Sequence, residues 1–255
     1  MHKPIIRRVN REQDYQAKGV VIAIDVIRAF TVAACAFAGG ASSLWLVRTI
    51  PEALALRERD PNALLAGEVG GRLIPGFDLN NSPYNMSQAD VRGRRIIQRT
   101  GAGTQGAVGA INATHVLVCS LTNARATAQY AAQLSAANNL PITLFPTASS
   151  TGDITRNEDD YCADYLEALL TNSATAHEIP VDRIARLQAQ DRFSHWGQGK
   201  DQDFPEEDLD LILAVDCFDF AMVGTVAHFY HEGVDAAPIR YVDVQAIRLD
   251  TIPSL

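Results

Sequence analysis

Asp25 and Arg28 stand three residues apart, just beyond an apolar β-branched run at residues 20–24. A carboxylate at the end of a buried strand can hold Mg²⁺, attack a phosphoryl group, or cap the helix that follows. A guanidinium one turn on can give a phosphate or sulfonate two parallel hydrogen bonds, or simply lie at the surface. A second carboxylate sits in Gly67-Glu68-Val69-Gly70-Gly71-Arg72. There the glycines allow close backbone approach, and Glu68 can ligate a hard cation. A third, Asp78, belongs to Gly76-Phe77-Asp78-Leu79-Asn80-Asn81-Ser82-Pro83. Such residues also bond their own backbone in turns, yet two carboxylate-bearing loops in succession favour a site over punctuation.

Thr100-Gly101-Ala102-Gly103-Thr104-Gln105-Gly106 matches G-x-G-x-x-G between a strand and a helix. A dinucleotide site also needs an acidic residue at the end of the next strand. That strand ends in Cys119-Ser120-Leu121-Thr122-Asn123, which offers none. What remains is a loop of glycines and two threonine hydroxyls before a helix, suited to an anion. Asn123 faces the same edge or caps its own helix. Cys119 and Arg125 have the C-x5-R spacing of cysteine phosphatases, where a thiolate attacks phosphorus and the arginine binds phosphoryl oxygens. No glycine opens the intervening loop, and Val118 stands where a histidine is usual. A buried strand cysteine is the better reading. Gly152-Asp153 and Asn157-Glu158-Asp159-Asp160 add carboxylates ahead of a helix, where they suit its dipole. With Asp25, Glu68 and Asp78 they also fit a Mg²⁺ site. His115, His177, His195, His228 and His231 show no zinc-ligand spacing.

These side chains need a frame to bring them together. β-Branched runs at residues 20–25, 44–47, 63–66, 95–99, 115–119 and 142–145 read as buried strands. Ala-rich or amphipathic stretches at 27–38, 51–59, 104–111, 123–137 and 158–170 lie between several of them. Pro51 with Glu52 marks a first helical turn. The alternation predicts an α/β fold, a mainly parallel sheet with helices on both faces and ligands outside the carboxyl ends of its strands. Beyond residue 172 the pattern is less regular. Pro205-Glu206-Glu207-Asp208 opens an acidic helix, and residues 239–249 suggest a final strand pair or an edge strand. One domain over residues 1–255 is expected, within which 172–255 could form a subdomain.

A chain of 255 residues, 47% hydrophobic, can bury a core without disulfides or a structural metal. Its 22 Lys and Arg against 30 Asp and Glu give a net charge of −8. That balance argues against nucleic acid and anionic membrane as partners and leaves room for a local basic pocket that takes a small anion. The polar, charged beginning lacks the apolar core of a signal peptide, and the longest apolar run, near residues 32–38, is too short to span a bilayer. Cys35, Cys119, Cys162 and Cys217 are dispersed, without disulfide or zinc spacing, so a reducing cytoplasm is the expected location.

Taken in order, several segments resemble the 2-phosphosulfolactate phosphatase family across roughly residues 20–224. They are VVIAIDVIRA with Asp25 and Arg28, AGEVGG with Glu68, IPGFDLNNSP, the 100–104 loop, CSLTNA from Cys119, EDDYCADYL from Glu158, and LILAVDCFDF around Asp216. IPGFDLNNSP is the most specific. Two positions depart from the family pattern: the 100–104 loop lacks the asparagine of the usual T-T-N-G-T, and Cys119 replaces a common glycine. The resemblance implies Mg²⁺-dependent hydrolysis of a phosphate monoester, 2-phosphosulfolactate to 3-sulfolactate, a step of coenzyme M biosynthesis. On this basis Asp25, Glu68 and Asp78 are the catalytic carboxylates around Mg²⁺, with Glu158 or Asp159 in reserve. Arg28, Asn81, Ser82, Thr100, Gly101, Gly103 and Thr104 would bind phosphate and a second anionic group, with Asn123 a lesser contributor. Three alternatives stand beside this one: a metal-independent phosphatase using Cys119 and Arg125, a non-catalytic binder of small phosphorylated or sulfonated acids, and a different metal-dependent activity on the same scaffold. A homodimer is allowed, although no apolar stripe demands one.

Overall fold

The computed structural model describes residues 4–149, 157–180, 193, 196–197, 201–231 and 238–251. Gly152, Asp153 and His195 lie outside them. Ten strands among the described residues form one sheet: β1 (Ile6–Arg8), β2 (Gly19–Ile24), β3 (Ser43–Val47), β4 (Leu64–Val69), β5 (Arg72–Leu73), β6 (Arg95–Arg99), β7 (Ala113–Cys119), β8 (Ile142–Pro146), β9 (Phe220–Phe229) and β10 (Ile239–Arg248). Their order is β1-β8-β2-β7-β9-β10-β3-β6-β4-β5. Two parallel blocks, β1-β8-β2-β7 and β3-β6-β4, flank the β9–β10 hairpin. The fold is α/β with a mostly parallel sheet, as the alternation predicts.

The helices are α1 (Ala29–Ala38), α2 (Ile50–Arg59), α3 (Pro83–Gln88), α4 (Gly103–Gly109), α5 (Ala124–Asn138), α6 (Glu158–Leu170) and α7 (Asp208–Ile212). None is long and apolar enough to cross a membrane among the described residues. Local sequence explains several boundaries. Thr49 accepts from the Glu52 N–H, and Glu52 bonds back to the Thr49 N–H, a reciprocal cap that starts α2. Asn157 caps α6 in the same way through Asp160.

Every residue of β2 is buried, because α1 and α4 cover one side of the sheet and α5 and α6 the other. Val21 and Ala23 pack with α1 and α4, while Val20, Ile22 and Ile24 pack with α5 and α6. Further along the second side, α2 covers Trp45, Val47, Leu65 and Ile97.

The carboxyl-terminal strands correct one expectation. Residues 239–249 are neither a separate pair nor an edge: β10 lies in the middle of the sheet. It pairs with β9 from Ile239↔Phe229 to Arg248↔Phe220 and with β3 from Val242↔Leu46 to Val244↔Leu44. β9 pairs in turn with β7. Met222, Val242 and Val244 thereby join the same core cluster as Val21 and Leu44, so the hairpin supplies core as well as ladder. Met222 is fully buried in it. Met222→Ala is expected to cost about 2–5 kcal/mol, read as a lower urea midpoint with an unchanged slope.

Candidate active site

Three successive antiparallel pairings, β7 with β9, β9 with β10 and β10 with β3, set the two parallel blocks in opposite senses along the ladder. Six neighbour steps separate β2 from β4. A twist of roughly 20–25° per step turns β4 well past a right angle relative to β2. The carboxyl ends of both blocks therefore meet. The approach is close: a Cβ at Gly103 would lie 2.7 Å from Asp25 Oδ2 and 2.8 Å from the Ala29 methyl. Only glycine fits there.

Asp25 follows β2 and is 5% exposed. Its Oδ1 accepts from the Ala29 N–H at 2.9 Å, and the Gly103 N–H also bonds it. Burial, opposed by these two donors and reinforced by the charges of Glu158 and Glu68, pushes its pKa up to about 7. Glu68 leaves β4 toward the same place. Its Oε1 accepts from the Gly101 N–H at 2.5 Å and its Oε2 from the Gly71 N–H at 2.8 Å. One carboxylate thus ties the β4–β5 turn to the loop after β6. Gly67, just before it, has φ +152, and a Cβ there would fall 1.9 Å from the Arg99 carbonyl oxygen.

Asp25, Glu68, Asn81, Thr100 and Ala102 bound a cavity of about 200 Å³, together with Arg28, Gly71, Trp196 and Phe204. Asn81 is 5% exposed, and its Oδ1 is buried without a hydrogen-bond partner. A buried amide oxygen in that state costs free energy unless a ligand or water meets it. Thr100 and Thr104 bond chiefly to one another's backbone and hydroxyl groups, which closes the loop. Thr100 borders the cavity; Thr104 is fully buried behind it.

Comparison with known proteins decides what this arrangement belongs to. Residues 6–223 match the family described as 2-phosphosulpholactate phosphatase. The chain belongs to that family. A Bacillus subtilis protein named a probable 2-phosphosulfolactate phosphatase is 41% identical over 174 residues, 68% of this chain and 73% of that protein. A Deinococcus radiodurans protein of the same name is 46% identical over 125 residues, 49% of this chain and 52% of its own. A third, from Thermus thermophilus, is 44% identical over 117 residues, 46% of this chain and 48% of its own. The last two alignments thus span about half of each relative. Members of this family are phosphoric monoester hydrolases.

Within the family frame, Arg28 serves a different purpose from a free phosphate ligand. It is 4% exposed, and its Nη1 donates to Asp208 Oδ2 at 2.9 Å and to the Asp203 carbonyl at 2.5 Å. Its Nη2 donates to the Gly71 carbonyl, and its plane lies 4.5 Å from the Phe204 ring centroid. Arg28 therefore clamps residues 203–208 across the cavity. Phe204 closes on Gly71, where a Cβ would meet the ring at 2.5 Å. Asn80, Asn85 and Arg72 hold the same segment through Gln202, Asp203 and Asp201.

Several expected site residues lie elsewhere. Asp78 is outside the cavity: its Oδ2 accepts from the Leu65 N–H at 2.7 Å and from Arg57 at 2.6 Å. Burial would raise its pKa, but the Leu65 N–H and then Arg57 more than reverse this, and it is lowered. Ser82 caps α3 and donates to Asp208 Oδ1 at 2.6 Å. Asn123 accepts from the Ser120 N–H and donates to Thr127 and the Phe220 carbonyl. Asp159 accepts from Val26 and Ala148, joining the loops after β2 and β8. Glu158 is 3% exposed beside Asp25 and adds its charge there.

The residues of the cysteine alternative lie elsewhere in the structure. Cys119 is fully buried, with its Sγ donating to the Ser120 carbonyl. Arg125 is engaged by the Tyr165 hydroxyl and Asp216, and neither Cys119 nor Arg125 lines the cavity around Asp25 and Glu68. Residues the sequence left unassigned also matter. Gly71, Ala102, Trp196 and Phe204 line the cavity, and Asp208 is its hidden anchor. An aromatic pair in an otherwise polar stretch was the available signal for the last wall. Removing Asp208 leaves the buried Arg28 without its counter-charge and the Ser82 hydroxyl and Tyr84 N–H without their acceptor. Asp208→Ala is expected to destabilise the fold by about 3–5 kcal/mol, with hydrogen exchange accelerated first in residues 201–208.

Proposed function

We propose that this protein hydrolyses 2-phosphosulfolactate to 3-sulfolactate and phosphate, using Mg²⁺ held by Asp25 and Glu68. The observation that carries this reading is the meeting of two carboxylates at one cavity where the halves of the sheet converge, with Asp25 buried and its pKa raised. Its shared family, and relatives named for this substrate, supply the substrate class.

Among the described residues no three His, Cys, Asp or Glu side chains converge as a metal cage. Mg²⁺ does not need one: it keeps several waters and takes one or two carboxylates plus substrate oxygens. Two cavity-facing carboxylates fit that donor set, and a cation would relieve the cost of an ionised Asp25 in its buried place. When bound, the ion would offset phosphate charge and polarise the phosphoryl group. Glu68 would keep the loops at Gly71 and Gly101 in register around the substrate. Asn81 would orient it, since its carboxamide can present an acceptor or, turned over, two donors. Trp196 and Phe204 would exclude bulk water from the reacting bond. The cysteines are free thiols, which supports a reducing cytoplasm.

Phosphate release from 2-phosphosulfolactate, measured with Mg²⁺ and with excess EDTA, tests this directly. Release should need the ion. Asp25→Asn and Glu68→Gln should each lower kcat/KM by about a hundredfold or more, while Cys119→Ser stays within about threefold of the parent. EDTA-resistant release would reject the metal role. Saturable stabilisation by the substrate without any release would reject catalysis.

A further inference from the structure

The cavity just described is poor in available positive charge. Its walls carry Asp25 and Glu68, and its one guanidinium, Arg28, is already bonded to Asp208, Asp203 and Gly71. A substrate bearing two acidic groups besides its phosphate needs cations from somewhere else.

They stand on the far side of Ala102. A second cavity, about 250 Å³, is bounded by Arg11, Arg48, Gln105 and Thr147, and Ala102 is common to both. Arg48 follows β3, and its Nε donates to Gln105 Oε1 at 3.4 Å. Gln105 Nε2 donates in turn to the Arg48 and Thr100 carbonyls, so the glutamine fixes Arg48 against the same loop that borders Asp25. Neither Arg11 nor Arg48 forms an ion pair among the described residues. Asp14 sets one carboxylate in the wall against these two guanidiniums. A third guanidinium stands close: the Nη1 of Arg240 is buried without a partner. Burial, then the charge of Arg48, holds its pKa below the ordinary arginine value. Guanidiniums thus outnumber the one carboxylate in this region.

We propose that Arg11 and Arg48 form the subsite for a non-reacting acidic group of the substrate, its sulfonate or its carboxylate. This rests on the phosphatase reading above. The phosphoryl end lies on the Asp25 side of the 100–103 loop and the acid on the other, so these arginines set specificity for diacidic phosphate esters. Planar guanidiniums suit both oxyanions through paired hydrogen bonds.

The test compares the parent protein with Arg11→Ala and Arg48→Ala, whose side chains are exposed and whose loss spares the core. KM for 2-phosphosulfolactate and binding of 3-sulfolactate are measured for each, the second by calorimetry without turnover. Each substitution should weaken both by about tenfold, the usual size of a charge-assisted contact. Competition by isethionate, which has only the sulfonate, and by lactate, which has only the carboxylate, identifies the acid: the one whose binding falls in the variants occupies the subsite. KM and 3-sulfolactate affinity within twofold of the parent in both variants would overturn the subsite and leave the phosphatase standing. Arginine-dependent binding of 3-sulfolactate in a parent without turnover would retain the subsite and reject the catalytic reading. No binding and no turnover would reject both.

Discussion

A carboxylate buried between the two halves of the sheet is the constraint from which the rest of the site follows. Asp25 is held by one backbone donor from its own block, Ala29, and by another from the opposite block, Gly103. A charged group so placed is stabilised only by well-aimed dipoles or a counterion. The opposing loop must come close enough to provide its N–H, and that distance leaves no room for a side chain at residue 103. Glu68 then performs the equivalent service within the second block, binding the loop at Gly101 to the turn at Gly71. Both carboxylates organise backbone.

The roof of the cavity obeys a different economy. A buried ion pair such as Arg28 with Asp208 adds little net stability compared with apolar packing, because both charges give up water. It adds position. With Ser82 and Tyr84 also bonded to Asp208, and with Phe204 seated on a glycine, residues 201–208 have one place to lie. Asn80 and Asn85 hold them through the Gln202 carbonyl. The polar density of the 76–85 loop is thus spent largely on gripping a distant part of the chain.

That division marks how far the amino-acid sequence can be read unaided. Asp25 and Glu68 were legible because each follows an apolar strand and is set beside a helix start or glycines, a local pattern. Asp78 and Ser82 look the same locally, yet their partners decide them: Arg57 and Leu65 for one, α3 and Asp208 for the other. Arg28 and Asp208 are 180 residues apart, and nothing near either announces the pair. The parallel strands were legible as short apolar runs between helices. The place of β9 and β10 was not, because half-exposed strands carry a weaker pattern and their neighbours are set by non-local pairing.

The position of that hairpin also orders the protein's birth. Translation delivers the first parallel block only in part before β3, β4 and β6 follow, and both blocks are complete long before residue 220 leaves the ribosome. Until β9 and β10 arrive, β7 and β3 each expose an unpaired edge in the middle of the future sheet, the kind of edge that recruits stray strands. The hairpin joins into one sheet the two blocks whose loops bring Asp25 and Gly103 together. A nascent chain shortened before β9 would hold both parallel blocks without the strands that join them into one sheet.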